Sequence, residues 1–198
     1  RAEVDLAIRR ELLVDVAQKP EKLKQTQLFT ATDPQSAEVI ALGLRKLATQ
    51  DLDASVRLLK HYEKQVTFSA ADQLTIANDL GLRLAKRFDA QALPIMQKYD
   101  PQLQNSNLTE WRVRLLLRLG RWDEAYQLIA QLPADLASTN RWKYWQARSL
   151  QLAQPNSKQP LILYQPLARE RDFYGFMAAD RTEQPYHLQH QALALQPK

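Results

Sequence analysis

Cysteine is absent from this chain of 198 residues. That excludes disulfides, thiolate metal sites and thiol catalysis, and leaves the compartment open. Glycine is nearly absent too, at four residues. So few flexible turn positions argue against a sheet-rich fold with many tight hairpins. The four lie far apart, at Gly43, Gly81, Gly120 and Gly175, so no glycine-rich phosphate loop exists. No run of about 18 apolar residues occurs, hence no membrane-spanning helix is expected. The opening residues, Arg1-Ala2-Glu3-Val4-Asp5, lack an initiator Met and a secretory pattern. They read as a processed protein or a piece of a longer one.

What remains is ordinary for a globular protein: 45% apolar and 25% charged residues. Leu, Ala, Gln and Arg dominate, and all four favour helices. A net charge of +5 points towards acidic partners. The cations are dispersed, which reads mainly as solvated helix faces.

Three segments repeat. Leu42-Gly43-Leu44-Arg45 precedes Asp53-Ala54; Leu80-Gly81-Leu82-Arg83 precedes Asp89-Ala90; Leu119-Gly120-Arg121 precedes Asp123-Glu124-Ala125. The three aspartates are 36 and 34 residues apart. Helix–turn–helix repeats of the tetratricopeptide type have a period of about 34. The expected fold is all-α, a right-handed superhelix of stacked antiparallel helical hairpins. Each repeat aspartate should cap its second helix, Asp33-Pro34 and Ser69 should start others, and Asn140 should cap a helix from Arg141. Helices are predicted near 2–17, 34–49, 52–65, 69–87, 89–99, 108–119, 122–131, 140–153 and 160–181, with 134–139 as a loop. The tail after Pro185 is expected to be loosely held.

Chemistry is sparse. Paired-carboxylate hydrolysis needs one carboxyl with a raised pKa. Glu110, Glu124 and the others sit at helix starts or on polar faces instead. His187 and His190 form an H-x-x-H without a third ligand of suitable spacing, and His61 stands alone. No nucleophile elbow is present. The sequence offers no catalytic residue, no metal site and no cofactor.

The densest feature is Arg141-Trp142-Lys143-Tyr144-Trp145-Gln146-Ala147-Arg148. Arg141, Lys143, Tyr144 and Arg148 are the candidate contacts to a glycan or partner, because aromatic rings stack on sugars and cations grip anions. Trp142 and Trp145, spaced i,i+3, read as helix packing, and Trp111 and Trp122 as repeat interfaces.

That segment, followed by Phe173-Tyr174-Gly175-Phe176-Met177-Ala178-Ala179-Asp180-Arg181, resembles the superhelical region of soluble lytic murein transglycosylases, as does the unit from Trp111 to Leu132. The similarity spans about residues 34–187. It divides the chain into 1–133, the end of a helical U-shaped domain, and 134–198, a linker region. It implies a periplasmic parent enzyme that cleaves the bond between N-acetylmuramic acid and N-acetylglucosamine, leaving 1,6-anhydro ends. In that family one glutamate of a C-terminal lysozyme-like domain acts as acid, then base. No Glu-Ser followed by Gly-Leu-Met-Gln occurs here, so no catalytic glutamate carries over. The expected role is a non-catalytic scaffold whose partners are peptidoglycan strands, reached through the catalytic domain, and periplasmic proteins. A tetratricopeptide-like adaptor is the alternative, and single-stranded nucleic-acid binding through Trp142 and Tyr144 is a third, weaker reading.

Overall fold

A computed structural model describes residues 2–188. Among them every regular element is helical, and no helix is long and apolar enough to cross a membrane. The contacts divide the chain into two compact units, 1–115 and 116–198.

In the first unit, α1 (Ala2–Gln18) leads through 3-10 turns at Pro20–Lys24 and Thr26–Leu28 into α2 (Pro34–Ala48). Asp33 starts α2: its carboxylate accepts the Gln35 and Ser36 N–H groups, and Pro34 needs no such partner. Helix α2 is central, packing against α1, the Pro20–Lys24 turn and α3 (Leu52–Tyr62). Ile40, Leu44 and Leu47 are buried along it at helical spacing. Gly43 lets the backbone approach its neighbours, since a Cβ there would lie 2.5 Å from Leu23 Cδ1 and from Val16 Cγ1. Two hydroxyls tie the layers together. Ser55 Oγ donates to the Leu44 carbonyl at 2.7 Å, and Tyr62 Oη to the Leu23 carbonyl at 2.7 Å.

The cap of α3 is Asp51, whose carboxylate accepts the Ala54 N–H at 2.9 Å. Asp53, expected to cap from the repeat pattern, lies inside the first turn and faces solvent. A carboxylate there still meets the positive helix end, but the orphan N–H is already taken. Asp89 does accept the Gln91 N–H, at 2.9 Å, whereas Asp123 sits within the first turn of its helix without a capping bond.

The helix expected over 69–87 is present, but not uniform. Ser69 caps α4 (Ala70–Ile76), a π-helical stretch follows at Ala77–Gly81, and α5 (Leu82–Lys86) completes it. The Leu82 N–H reaches the Ala77 carbonyl, the longer i→i−5 step that defines the π turn. The unit continues with α6 (Ala92–Tyr99) and the start of α7 (Ser106–Arg118).

Helix α7 closes on a Schellman motif: Gly120 takes φ +69°, the Arg121 N–H bonds Leu116 O at 3.0 Å, and the Gly120 N–H bonds Leu117 O at 3.2 Å. The second unit then holds α8 (Trp122–Ile129), a single turn α9 (Ala134–Ala137), α10 (Asn140–Ala153), α11 (Gln159–Leu167) and α12 (Phe173–Thr182). Helix α10 packs on α8, α11 and α12, and α11 on α12. The residues expected to form a loop at 134–139 thus include one helical turn.

The single helix expected over 160–181 is two. Asp172 breaks it: its backbone is extended and its carboxylate accepts the Gly175 N–H at 2.7 Å, restarting the helix. The segment that carries the family resemblance likewise begins at Phe173, the first residue of α12. Asn140 is not a cap either. It is the first residue of α10, and its Nδ2 donates to Asp172 Oδ2 at 2.6 Å. The expectations for His190, Leu193 and Leu195 fall outside the described residues.

Candidate functional site

The cation-and-aromatic segment singled out in the sequence forms the first half of α10. Arg141 and Lys143 are exposed, Arg148 is half-buried, and Tyr144 is 1% exposed. Tyr144 is therefore a core residue in this structure. Its ring centroid lies 5.6 Å from that of Tyr164 on α11 and 5.9 Å from that of Tyr174 on α12. Such tilted, offset arrangements suit the ring quadrupoles. The ring stands in the hydrophobic cluster with Ala147, Leu167, Ala178 and Ala179 and has no face to offer a sugar. Trp142 is buried, and Trp145 is half-buried against the same cluster with its ring edge-on to Tyr144. Both tryptophans pack, as their i,i+3 spacing suggested.

Arg148 is drawn inward by a polar pair that the sequence did not reveal. Arg148 Nη1 donates to Gln151 Oε1 at 2.8 Å, and Tyr164 Oη donates to the same oxygen at 3.2 Å. Burial pushes the Tyr164 phenol up to about 12, with Tyr144 adding to the shift and Arg148 and Arg181 opposing it. The phenol thus stays a neutral donor at ordinary pH. The only sequence signal for this contact was that residues 151 and 164 flank one helix–helix turn.

Arg141 and Lys143 stand near the N-terminus of α10, beside the turn before α12 to which Asn140 is bonded. That turn adds exposed Arg169, Glu170, Arg171 and Phe173. Sequence reasoning did not single out Arg169, Glu170 or Arg171, and used Phe173 only for the family resemblance. The signal was present in Arg169-Glu170-Arg171-Asp172-Phe173, two arginines alternating with two carboxylates and running into an aromatic residue.

In the first unit, Trp111 is half-buried, with the Arg114 guanidinium 5.2 Å and the Lys86 ammonium 5.8 Å from its ring centroid. Between α1 and α2 lies an apolar hollow of about 270 Å³, bordered by Ile8, Leu12, Leu28, Phe29 and Val39, with Gln35 and Ser36 as polar members. Among the described residues that line it there is no carboxyl group.

Three carboxyls, Asp51, Glu63 and Asp172, have pKa values displaced downwards. Asp51 is lowered first by the Ala54 N–H and then by Lys24. Glu63 is raised by burial, but its bonds from Lys98 and Tyr99 outweigh this and leave it low. Burial likewise pulls Asp172 up, and hydrogen bonds from Asn140, Gly175 and Tyr174 more than compensate. A general acid for glycoside cleavage needs the opposite displacement. Among the described residues no three His, Asp or Glu side chains gather closely enough to hold a metal ion. His187 and His61 are exposed, and His61 meets Tyr62 edge-on at 5.0 Å. Exposed cations beside an exposed aromatic ring can bind anions and apolar rings.

No protein-family model matches the chain. Among curated proteins, the soluble lytic murein transglycosylase of Escherichia coli K12 is 34% identical over 85 residues, 43% of this chain and 13% of that protein. A putative soluble lytic murein transglycosylase of Haemophilus influenzae is 35% identical over 89 residues, 44% of this chain and 13% of the relative. The chain thus spans about an eighth of the length of these relatives. Among solved structures, an inactive mutant of the lytic transglycosylase Slt from Pseudomonas aeruginosa superposes with a TM-score of 0.81 and 57% identity, over 94% of this chain and 30% of that one. A soluble lytic transglycosylase in complex with bulgecin A shares the fold, with a TM-score of 0.60 and 22% identity over 90% of this chain. By sequence over its matched part and by fold over nearly its whole length, the chain is homologous to a helical portion of the soluble lytic murein transglycosylases.

Proposed function

We propose that this chain is a non-catalytic helical scaffold segment of a periplasmic lytic murein transglycosylase. It holds glycan strands of peptidoglycan in position for a lysozyme-like domain of the parent enzyme. That domain cleaves between N-acetylmuramic acid and N-acetylglucosamine and leaves 1,6-anhydro ends. The observation that carries this reading is the 57% identity to lytic transglycosylase Slt over 94% of the chain. The lowered pKa values of Asp51, Glu63 and Asp172 make these three carboxyls poor general acids. In this reading, residues 1–133 close a U-shaped helical domain and 134–198 form a linker region. The exposed cations Arg141 and Lys143, with half-buried Arg148 further along the helix, face acidic murein, whose stem peptides carry carboxylates.

Incubation of the purified chain with isolated sacculi tests the proposal. Sacculi should retain the chain, less so as salt rises and screens the charges, and no anhydro-muropeptides should be released. Their release would overturn the non-catalytic assignment. Absence of sacculus binding together with one stoichiometric protein partner would favour an adaptor instead.

A further inference from the structure

We propose that the turn between α11 and α12, centred on Phe173 with Arg169 and Arg171, is a docking site for an acidic glycan strand of murein, an inference that rests on the function proposed above.

Phe173 is 66% exposed, the most exposed large apolar side chain among the described residues. Scattered apolar residues on a surface are ordinary. This one is not scattered. Its ring stands edge-on to Tyr174 at 5.2 Å, and Tyr174 leans on the buried Tyr144 at 5.9 Å. An exposed ring is thereby built on an aromatic chain rooted in the core, which fixes its position before any ligand arrives.

The backbone beneath it is equally fixed. Asp172 accepts the Gly175 N–H at 2.7 Å and the Asn140 amide at 2.6 Å. Gly175 lies so close to the Glu170 carbonyl that no Cβ fits between them. Around this platform Arg169 and Arg171 are exposed, and neither is joined by a salt bridge to a carboxylate among the described residues. Exposed Arg141 and Lys143 follow directly on the Asn140 bond. Beside Arg169, Arg171 and Lys143 stand the carboxylates Glu170 and Asp172, and Asp172 is already engaged by its two hydrogen bonds.

A sugar chain with carboxylate branches fits these features together. The apolar C–H face of a pyranose stacks on a phenyl ring, and each guanidinium can take a carboxylate through two parallel hydrogen bonds. A neutral glycan would leave the arginines unused. A nucleic acid would use them, but it favours several stacking rings along a groove, and at this turn Phe173 is the ring that protrudes among the described residues.

The experiment is sacculus binding by the chain and by three variants: F173A, R169E/R171E, and K46E/R83E, which changes the charge equally on exposed positions of the first unit. Thermal melts by circular dichroism verify that each variant is folded. We expect F173A and R169E/R171E to bind about tenfold more weakly, a loss of about 1.4 kcal/mol, and K46E/R83E to bind as the parent does. Single-stranded DNA should fail to displace the chain from sacculi. If the chain binds sacculi and F173A and R169E/R171E bind equally well, this site is wrong while the proposed function stands. Equal weakening by K46E/R83E, or displacement by DNA, reduces the patch to general polyanion attraction and overturns the glycan assignment. A parent chain that does not bind at all removes the functional reading, and this inference with it.

Discussion

Asn140 and Asp172 are joined across 32 residues by a 2.6 Å hydrogen bond, which fastens the first turn of α10 to the start of α12. The same carboxylate caps α12 through the Gly175 N–H. Its pKa is raised by burial but lowered more by these hydrogen bonds, so the folded value lies below the unfolded one, which is about 3.9. A carboxyl of this kind adds stability above the unfolded pKa, and that stability is lost as pH falls through the folded value. The D172N variant should therefore show a flatter loss of stability below about pH 4 than the parent. Hydrogen exchange of the α12 amides against pH reads this directly, and identical slopes would refute it.

Much of the helical framework could be read from the chain. Helix α10 ends at Ala153, where the Gln154-Pro155 break places it. Local rules were weaker where two carboxylates compete, as at Asp51 and Asp53: only the position of the Ala54 N–H decides between them. They were silent where partners are distant. Asn140 has the chemistry of a cap, yet Asp172 claims its amide. Tyr144 sits among cations in sequence, but Tyr164 and Tyr174 enclose it in space. The π turn at Ala77–Gly81 leaves the apolar stripe in place and shifts only the hydrogen-bond step, so periodicity does not register it.

Gly175 and Gly43 should differ in what an added methyl costs. A Cβ at residue 175 would clash with the Glu170 backbone, which cannot rotate away, whereas one at residue 43 meets the side chains of Leu23 and Val16. Overpacking typically costs about 1–3 kcal/mol. We expect G175A to fall at or above the top of this range and G43A within it. Urea midpoints of the two variants check the order, and a milder G175A would mean that the turn is adaptable.

Tyr62 should make the fold sensitive to alkali. Burial pushes its phenol up to about 12, above the unfolded value of about 10. The neutral phenol's contribution is complete below the unfolded pKa and is lost as pH rises through the folded one. In Y62F the ring keeps its place edge-on to Phe29, but the bond to the Leu23 carbonyl disappears. The variant should be about 1–2 kcal/mol less stable at neutral pH and should lose stability less steeply between about pH 10 and 12. Unfolding followed at several pH values tests both parts, and a parallel pH profile would count against this role for Tyr62.

Two buried serines should respond to alanine with opposite sign. Ser55 and Ser149 are both fully buried. Ser55 donates to the Leu44 carbonyl at 2.7 Å, linking α3 to α2, while the Ser149 hydroxyl on α10 has no hydrogen-bond partner among the described residues. Removing the first hydroxyl sacrifices a bond worth about 1 kcal/mol. Removing the second relieves the desolvation of an unpaired polar group, worth about 1–3 kcal/mol on mutational scales. Alanine is also the better helix former at both positions, which softens the first loss and adds to the second gain. S55A should therefore lower the denaturant midpoint and S149A raise it. A destabilised S149A would mean that the hydroxyl is satisfied in solution, and would assign it a bonding role within the α8–α10–α12 core.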